Sequence, residues 1–336
     1  MNLMEKKSLK IVWWNVNNFY HFDADKAEKI GSSRWPKSRD EYDRKCHLVD
    51  KAFGEMFDLV GPIDMLCLCE ISKKAAEQLR DRILPNFRVV SLDVKEDDPT
   101  LQVAILFAPD SDVSKYVERP PIIVPSMPRG TRPMAVIEIQ VLKHKIRLIA
   151  CHWQARIDEE KSEVFRSRSA DFLGMHSYDF IQEDPSLNHI VILGDLNEEP
   201  FEKNLQILNA HRHRNRSLKK SHWADHDVKR VHLYNTSWRQ LGEKHPYPSE
   251  VGSLANMQDC AGTYYWEDKQ SWHHFDQLIV SGGLLTEESP FIDENEISII
   301  SLPSLLTDGL PLKFSHRGSE YRGLSDHLPL FAKISI

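Results

Sequence analysis

Short apolar runs and stretches of helical apolar spacing alternate along the chain. Lys10–Trp14 is the first run, apolar enough for a buried strand. From Cys46, apolar residues return at Val49, Phe53, Met56 and Val60, spacing that draws one helical stripe. Gly61-Pro62 ends that helix, and Asp64–Cys69 is apolar on both faces, as a fully buried strand is. Ile71–Leu84 reads as a helix stopped by Pro85. Phe87–Leu92, Gln102–Ala108, Met134–Leu142 and Lys145–Cys151 read as strands, the last two joined in a hairpin across Lys143-His144. Lys161–Ile181 reads as a helix with Val164, Phe172, Met175, Tyr178 and Ile181 inward, and His189–Leu193 as a short buried strand. Pro200 opens a helix over Phe201–Ala210, and Phe275–Val280 and Leu328–Ile334 are the closing strands.

Hairpins among these strands argue against a purely parallel sheet. The pattern points to an α+β fold, a four-layer α/β/β/α sandwich of two facing, mostly antiparallel sheets with helices outside. No internal repeat interrupts it, so residues 1–336 read as a single domain with a basic loop insertion near 211–230. The least regular segments are His21–Asp40, Asp93–Thr100, His211–Gln270 and Leu284–Gly323, and long loops in a compact domain commonly wall a site.

Composition narrows the class. With 41% hydrophobic residues the chain can build a sizeable core, and a net charge of -7 argues against a protein that coats nucleic acid by bulk positive charge. The opening MNLMEKKSLKIVWW does not read as a secretory signal, and no window is apolar enough for a membrane span. Cys46, Cys67, Cys69, Cys151 and Cys260 are odd in number, and three lie in expected core strands, so they read as buried thiols in a reducing cytoplasm.

Polar motifs sit at the ends of the apolar runs. Trp14-Asn15 with Asn17 closes the first, Glu70 the second, and His152 a later one. Gly194-Asp195-Leu196-Asn197 follows His189–Leu193, its glycine suited to a tight turn, and Asp276 and Ser325-Asp326-His327 border the closing strands. A carboxylate on a rigid strand end suits a hard divalent cation, an aspartate can activate water, and an asparagine amide can donate to phosphate. A histidine kept protonated by a buried acid can stabilise phosphate charge, and Asp276 would be that acid for His327. Taken singly, each has a plain structural explanation, such as an Asx turn at Asp195 or a helix cap at Glu70.

In this order and spacing the motifs resemble the endonuclease/exonuclease/phosphatase superfamily, the deoxyribonuclease-I-like fold, over residues 8 to 336. The resemblance implies a catalytic Mg²⁺, or Mn²⁺ in its place, at Glu70 and Asp326, with Asn15 at the metal site. It implies Asp195 as the residue that deprotonates water, and Asn15 and Asn197 orienting phosphate and water. His327 paired with Asp276 would stabilise the transition state, and His152 would assist at the phosphate or leaving oxygen. Asn17 and Arg156 would contact substrate, and an asparagine at 17 argues against a second tight metal site. Gly194–Pro200 and His273–Gln277 lack the arginines typical of inositol-polyphosphate phosphatases. The tryptophan-arginine pair usual in abasic-site endonucleases is also missing.

Between His211 and Arg230 seven cations stand against two aspartates, a net +5. Arg212, Arg214, Arg216 and Trp223 in this run suit a nucleic-acid strand, cations meeting phosphates and the ring stacking a base. His222 and His226 have no third zinc ligand in view, and Arg34, Trp35 and Lys37 could form an opposite wall. The leading expectation is a cytoplasmic metal-dependent nuclease or nucleic-acid phosphodiesterase with no clear protein partner. The alternatives are a phosphatase or phosphodiesterase acting on a small or lipid phosphate, and an inactive binding module.

Overall fold

The computed structural model describes residues 7–22, 36, 38–91, 102–111, 114–125, 132–219, 224–225, 229–242, 261–317 and 320–336. Arg34, Trp35, Lys37, His222, Trp223, His226 and Cys260 lie outside the described residues. In chain order the elements begin with β1 (Ser8–Phe19), α1 (Arg39–Val60), β2 (Met65–Ile71), α2 (Lys73–Ile83), β3 (Arg88–Ser91) and β4 (Gln102–Phe107). They continue with β5 (Ser114–Ile122), β6 (Met134–Val141), β7 (His144–His152), α3 (Glu159–Glu183), β8 (Asn188–Asp195), α4 (Lys203–Ile207), β9 (Ala210–His211) and α5 (Arg214–Lys219). After β10 (Ala224–Asp225), β11 (Arg230–Val231) and β12 (Leu233–Asn235) come β13 (Tyr264–Trp266), β14 (Ser271–His273), β15 (Asp276–Ser281) and β16 (Phe291–Ile292). The chain closes with β17 (Ser298–Ile299), β18 (Ser315–Arg317), β19 (Glu320–Arg322) and β20 (Leu330–Ser335).

Two seven-stranded sheets carry the fold. The first runs β16-β20-β1-β2-β4-β3, with β17 also on β20, and the second runs β5-β6-β7-β8-β15-β12-β9. Both are mostly antiparallel; the parallel pairs are β1/β2, β7/β8 and β12/β9. Side-chain alternation along the strands explains the layering. On β8, Val191 and Leu193 join the core shared with the first sheet, while Ile190 and Ile192 join the core under α3. On β7, Leu148 and Ala150 face the first sheet and Ile149 and Cys151 face α3. The outer face of the first sheet is covered by α1 through Val49, Phe53 and Met56 and by α2 through Leu79. The four-layer sandwich expected from the pattern is therefore the observed one.

Three local expectations change. Ser114–Ile122, to which the pattern assigns no element and which contains Pro120 and Pro121, is a strand at a sheet edge, where missing ladder donors face outward. The expected helix over Phe201–Ala210 shortens to Lys203–Ile207. On α3, Val164 is 49% exposed, and the buried positions include Ser162, Arg166, Ser169 and Ser177 beside Leu173 and Phe180. Arg166 is buried because its guanidinium meets the buried Glu198 carboxylate. A polar inward face of this kind is invisible to apolar periodicity.

Gly194 has a different role from a turn. A Cβ there would lie 2.2 Å from the Cys151 carbonyl oxygen on β7, its register partner, so only glycine lets the two strands approach. Gly194→Ala should cost about 1–3 kcal/mol by overpacking, read as a lowered thermal midpoint. Turnover should fall with it, because β7 and β8 present His152 and Asp195 side by side.

Candidate active site

The site forms where strand ends of the two sheets meet. In the second sheet His152, Asp195 and Asp276 are register neighbours across β7, β8 and β15. In the first sheet Asn15 pairs with Cys69, one residue before Glu70. The first sheet breaks regular pairing here: register shifts fall between Asn15 and Phe19 and between Cys69 and Ile71. Asn17, Asn18, Glu70 and Asn197 all take positive φ, from 47° to 58°. Non-glycine residues in that region cost energy, and such strain gathers where function needs aimed side chains.

Asn15 sits at the centre. Its Nδ2 donates to Asp195 Oδ2 at 3.0 Å and approaches Glu70 Oε1 and His327 Nε2 at 3.4 Å. Its Oδ1 accepts the Asn17 backbone N–H at 3.0 Å, so Asn15 meets the carboxylates as a donor and keeps one oxygen lone pair. Asn17 Nδ2 donates to Asp326 Oδ1 at 3.0 Å, and the Asn18 N–H donates to Glu70 Oε2 at 2.9 Å. Asn17 thus orients a carboxylate while lining the cavity.

His327 Nδ1 is 2.7 Å from Asp276 Oδ2, and the other Asp276 oxygen accepts from Trp13 Nε1 at 2.7 Å. Trp14 Nε1 donates to the His327 carbonyl at 2.9 Å, and Ser325 Oγ bridges the Asn15 carbonyl and the His327 N–H. Burial alone would lower the His327 pKa, but the Asp276 and Asp195 carboxylates outweigh it and push it up to about 10. His327 is therefore an imidazolium at neutral pH. His152 is the opposite case: burial, with Arg132 and His327 adding, holds it well below the usual range. Its Nδ1 is buried without a hydrogen-bond partner among the described residues, while Nε2 faces Asp195 at 3.6 Å and Glu70 at 3.8 Å. The proton of neutral His152 belongs on Nε2, since a buried N–H without an acceptor costs more than an empty lone pair.

Burial pushes the Asp195 carboxyl up to about 7, with Asp276 and Glu70 adding and His327 opposing. The Asn197 backbone N–H closes an Asx turn onto Asp195 Oδ1 at 3.0 Å, and Asn197 Nδ2 is held by the Trp153 carbonyl at 3.2 Å. Burial also raises Asp326. Glu70, Asp195 and Asp326 line one cavity of about 450 Å³. Confining three carboxylates there favours a hard divalent cation, which relieves their repulsion and accepts oxygen ligands. The donor set fits such an ion: Glu70 and Asp326 would hold it, and it would polarise a bound phosphate or water. Cys69, His152 and Asp195 also offer ligand atoms within 4.8 Å of one another, but a soft thiol suits a hard divalent cation poorly beside the oxygen donors.

Arg156 lines the cavity, yet its Nε donates to the Asn197 carbonyl at 2.8 Å and its Nη2 is paired with Glu202. It holds the Asn197 loop in place. Arg212, Arg214 and Arg216 are not brought to the site. Their segment leads from β9, which pairs with β12 beside Ser281, the end of β15 opposite Asp276. A six-residue strand is roughly 17 Å end to end.

Several site residues lay outside the sequence expectation. Arg132, Tyr264, Trp266, Phe275 and Lys313 line the cavity, with Lys313 Nζ 3.5 Å from Asp326 Oδ2 and the Tyr264 ring 4.6 Å from that of His327. Buried Lys45 on α1 donates to the Asn17 carbonyl, fixing the left-handed turn from beneath. Burial lowers its pKa to about 7 despite the pull of Glu70 and Asp326. Trp266 is an aromatic that the sequence offers for stacking between the basic run and Asp276; Lys45 and Lys313 sit in segments with no motif.

Solved structures repeat this architecture. D. rerio TDP2 complexed with single-strand DNA product is 13% identical, with a TM-score of 0.54, covering 98% of this chain and 99% of that one. A mannosyl-6-phosphatase from Bacteroides thetaiotaomicron is 14% identical, with a TM-score of 0.57 and coverage of 98% and 100%. Truncated Caenorhabditis elegans TDP2 is 14% identical, at 0.54 and 98% of both chains. At such identity the likeness is one of fold. No curated protein matches the sequence. The model of the Endonuclease/Exonuclease/phosphatase family matches residues 10–242, which contain Asn15, Glu70, His152, Asp195 and Asn197 on converging strand ends, and the chain belongs to that family.

Proposed function

We propose that this protein is a Mg²⁺-dependent phosphodiester hydrolase acting on nucleic acid, with Mn²⁺ able to substitute. The observation that carries the substrate class is the β13/β14 hairpin over the carboxylate cluster. Tyr264 packs on His327 and stacks on Phe275 at 5.2 Å, and Trp266 stands at the rim with Lys269 3.8 Å above its ring. Rings beside a phosphate-handling centre suit bases flanking the scissile bond. That D. rerio TDP2 was solved with a single-strand DNA product supports the reading by fold alone. Cys46, Cys67, Cys69 and Cys151 are free thiols, which suits the reducing cytoplasm, and no helix among the described residues is long and apolar enough to cross a membrane.

In this mechanism Asp195 takes the proton of the attacking water as the new P–O bond forms, and the P–O bond to the leaving oxygen breaks, that oxygen taking up a proton from solvent. Asn15 holds Asp195 Oδ2 in line, His327 donates to a phosphoryl oxygen, and neutral His152 donates Nε2–H to phosphate or leaving oxygen. A phosphatase acting on a small phosphate is the second reading. It is favoured by Arg132 and Lys313 at the cavity, cations suited to a terminal phosphate dianion.

The test is hydrolysis of single-stranded DNA, duplex DNA, RNA, bis(4-nitrophenyl) phosphate and a hexose 6-phosphate, with magnesium and with excess chelator. Activity surviving the chelator would overturn metal dependence; turnover of the hexose phosphate alone would select the second reading. Trp266→Ala should lower kcat/KM on single strands about 5- to 150-fold, the loss of roughly 1–3 kcal/mol of stacking. Dimethyl phosphate diesters, lacking rings, should be cleaved equally by both proteins.

A further inference from the structure

The basic segment builds an open surface recess of its own. Arg212, Arg214, Arg216 and Arg239 line a recess of about 660 Å³ together with Tyr234 and Glu294. The Glu294 side chain is buried and organises the recess: it accepts from Arg214 Nε at 2.8 Å and Arg239 Nη1 at 2.9 Å, and Tyr234 Oη donates to it as well. Arg214 is further fixed by donating to the Leu285 carbonyl at 2.9 Å. Two guanidiniums are thereby held in defined positions with part of their donor edges left for a ligand. Arg212 lies 5.6 Å over the Trp238 ring, and neither Arg212 nor Arg216 has a carboxylate within 4.0 Å among the described residues. Four guanidiniums against one carboxylate leave a strong local positive charge on a chain of net charge -7.

We propose that this recess is a second ligand site, at the end of β15 opposite the catalytic cluster, and that it takes a run of adjacent phosphates. Planar guanidinium forks match phosphate oxygens two at a time, which a single small anion would not exploit across four arginines. Its volume suits a nucleotide-sized ligand or a short stretch of backbone. The run of phosphates can come from a nucleic-acid backbone or from a free linear oligophosphate.

The experiment is calorimetric titration of the full-length protein, in chelator, with inorganic tripolyphosphate and separately with a twelve-residue oligothymidylate. The double variant Arg212→Ala/Arg216→Ala should weaken tripolyphosphate at least tenfold, whereas Lys115→Ala on the edge strand β5, away from both cavities, should leave it unchanged. Oligothymidylate weakened in parallel, with its log–log salt slope reduced by roughly 0.7 per lost contact, identifies the nucleic-acid backbone as the source. Oligothymidylate unaffected while tripolyphosphate is lost identifies a free oligophosphate. Absence of tripolyphosphate binding, or equal affinity in wild type and double variant at unchanged thermal midpoint, overturns the proposal. Because the readout is binding without turnover, it succeeds or fails independently of the hydrolase reading.

Discussion

Asp195→Asn should leave nucleic-acid affinity within about twofold of wild type and lower kcat by roughly 10²–10⁴, the scale for removing a general base. The carboxylate has both oxygens oriented, Oδ1 by the Asn197 N–H and Oδ2 by Asn15 Nδ2, so its remaining lone pairs are aimed into the cavity. Asparagine keeps the shape and loses the basic oxygen. Its Nδ2 would also oppose one of those two donors, so a modest drop in thermal midpoint should accompany the loss. Single-turnover cleavage with bound product measured separately distinguishes the two effects, since a base acts in the transition state while binding is unchanged. Wild-type kcat in this variant would remove Asp195 from the mechanism.

Asp276→Asn should give nearly the defect of His327→Ala, with a pH signature that the alanine lacks. The Asp276 carboxylate at 2.7 Å is the leading influence raising His327 to about 10 against its burial. A raised group keeps its proton below its pKa and loses it above, so wild-type His327 stays protonated from pH 6 to 9. Without the neighbouring charge, burial lowers the imidazole and its proton is lost within that range. The ratio of variant to wild-type kcat should therefore climb as pH falls from 9 to 6, whereas His327→Ala should show no such climb. Both changes also shift Asp195, which Asp276 raises and His327 lowers, so the imidazole's own titration is followed by NMR beside kcat. A flat ratio for Asp276→Asn would mean that Asp276 does not act through the imidazolium. The double variant should be no worse than the larger single defect, because the pair acts as one unit.

The sandwich was legible because its information is local. Buried strands such as Met65–Ile71 and Asn188–Asp195 are apolar on both faces, and α1 shows its stripe from Val49 to Met56. The residues that converge in the candidate site were legible for a related reason: each is a polar residue closing such a run, as Glu70, His152 and Asp195 do, and sheet geometry makes neighbouring strand ends converge. The inward face of α3 was not legible, because Arg166 is buried by an ion pair with a residue 32 positions away. Nor were Lys45 and Lys313, which reach Asn17 and Asp326 across long separations.

The chain by itself determined the order of strands, the residues that end them and the chemistry they carry, since periodicity and residue type report burial and function at each position. It could not determine where the basic segment goes. Charge made Arg212, Arg214 and Arg216 look like contacts for a nucleic-acid strand, and pairing of β9 with β12 and of β12 with β15 carries them to the far end of the sheet. Strand register is set by packing and hydrogen bonding between segments distant in sequence, and a loop's position follows from the strands that bound it, not from its own composition.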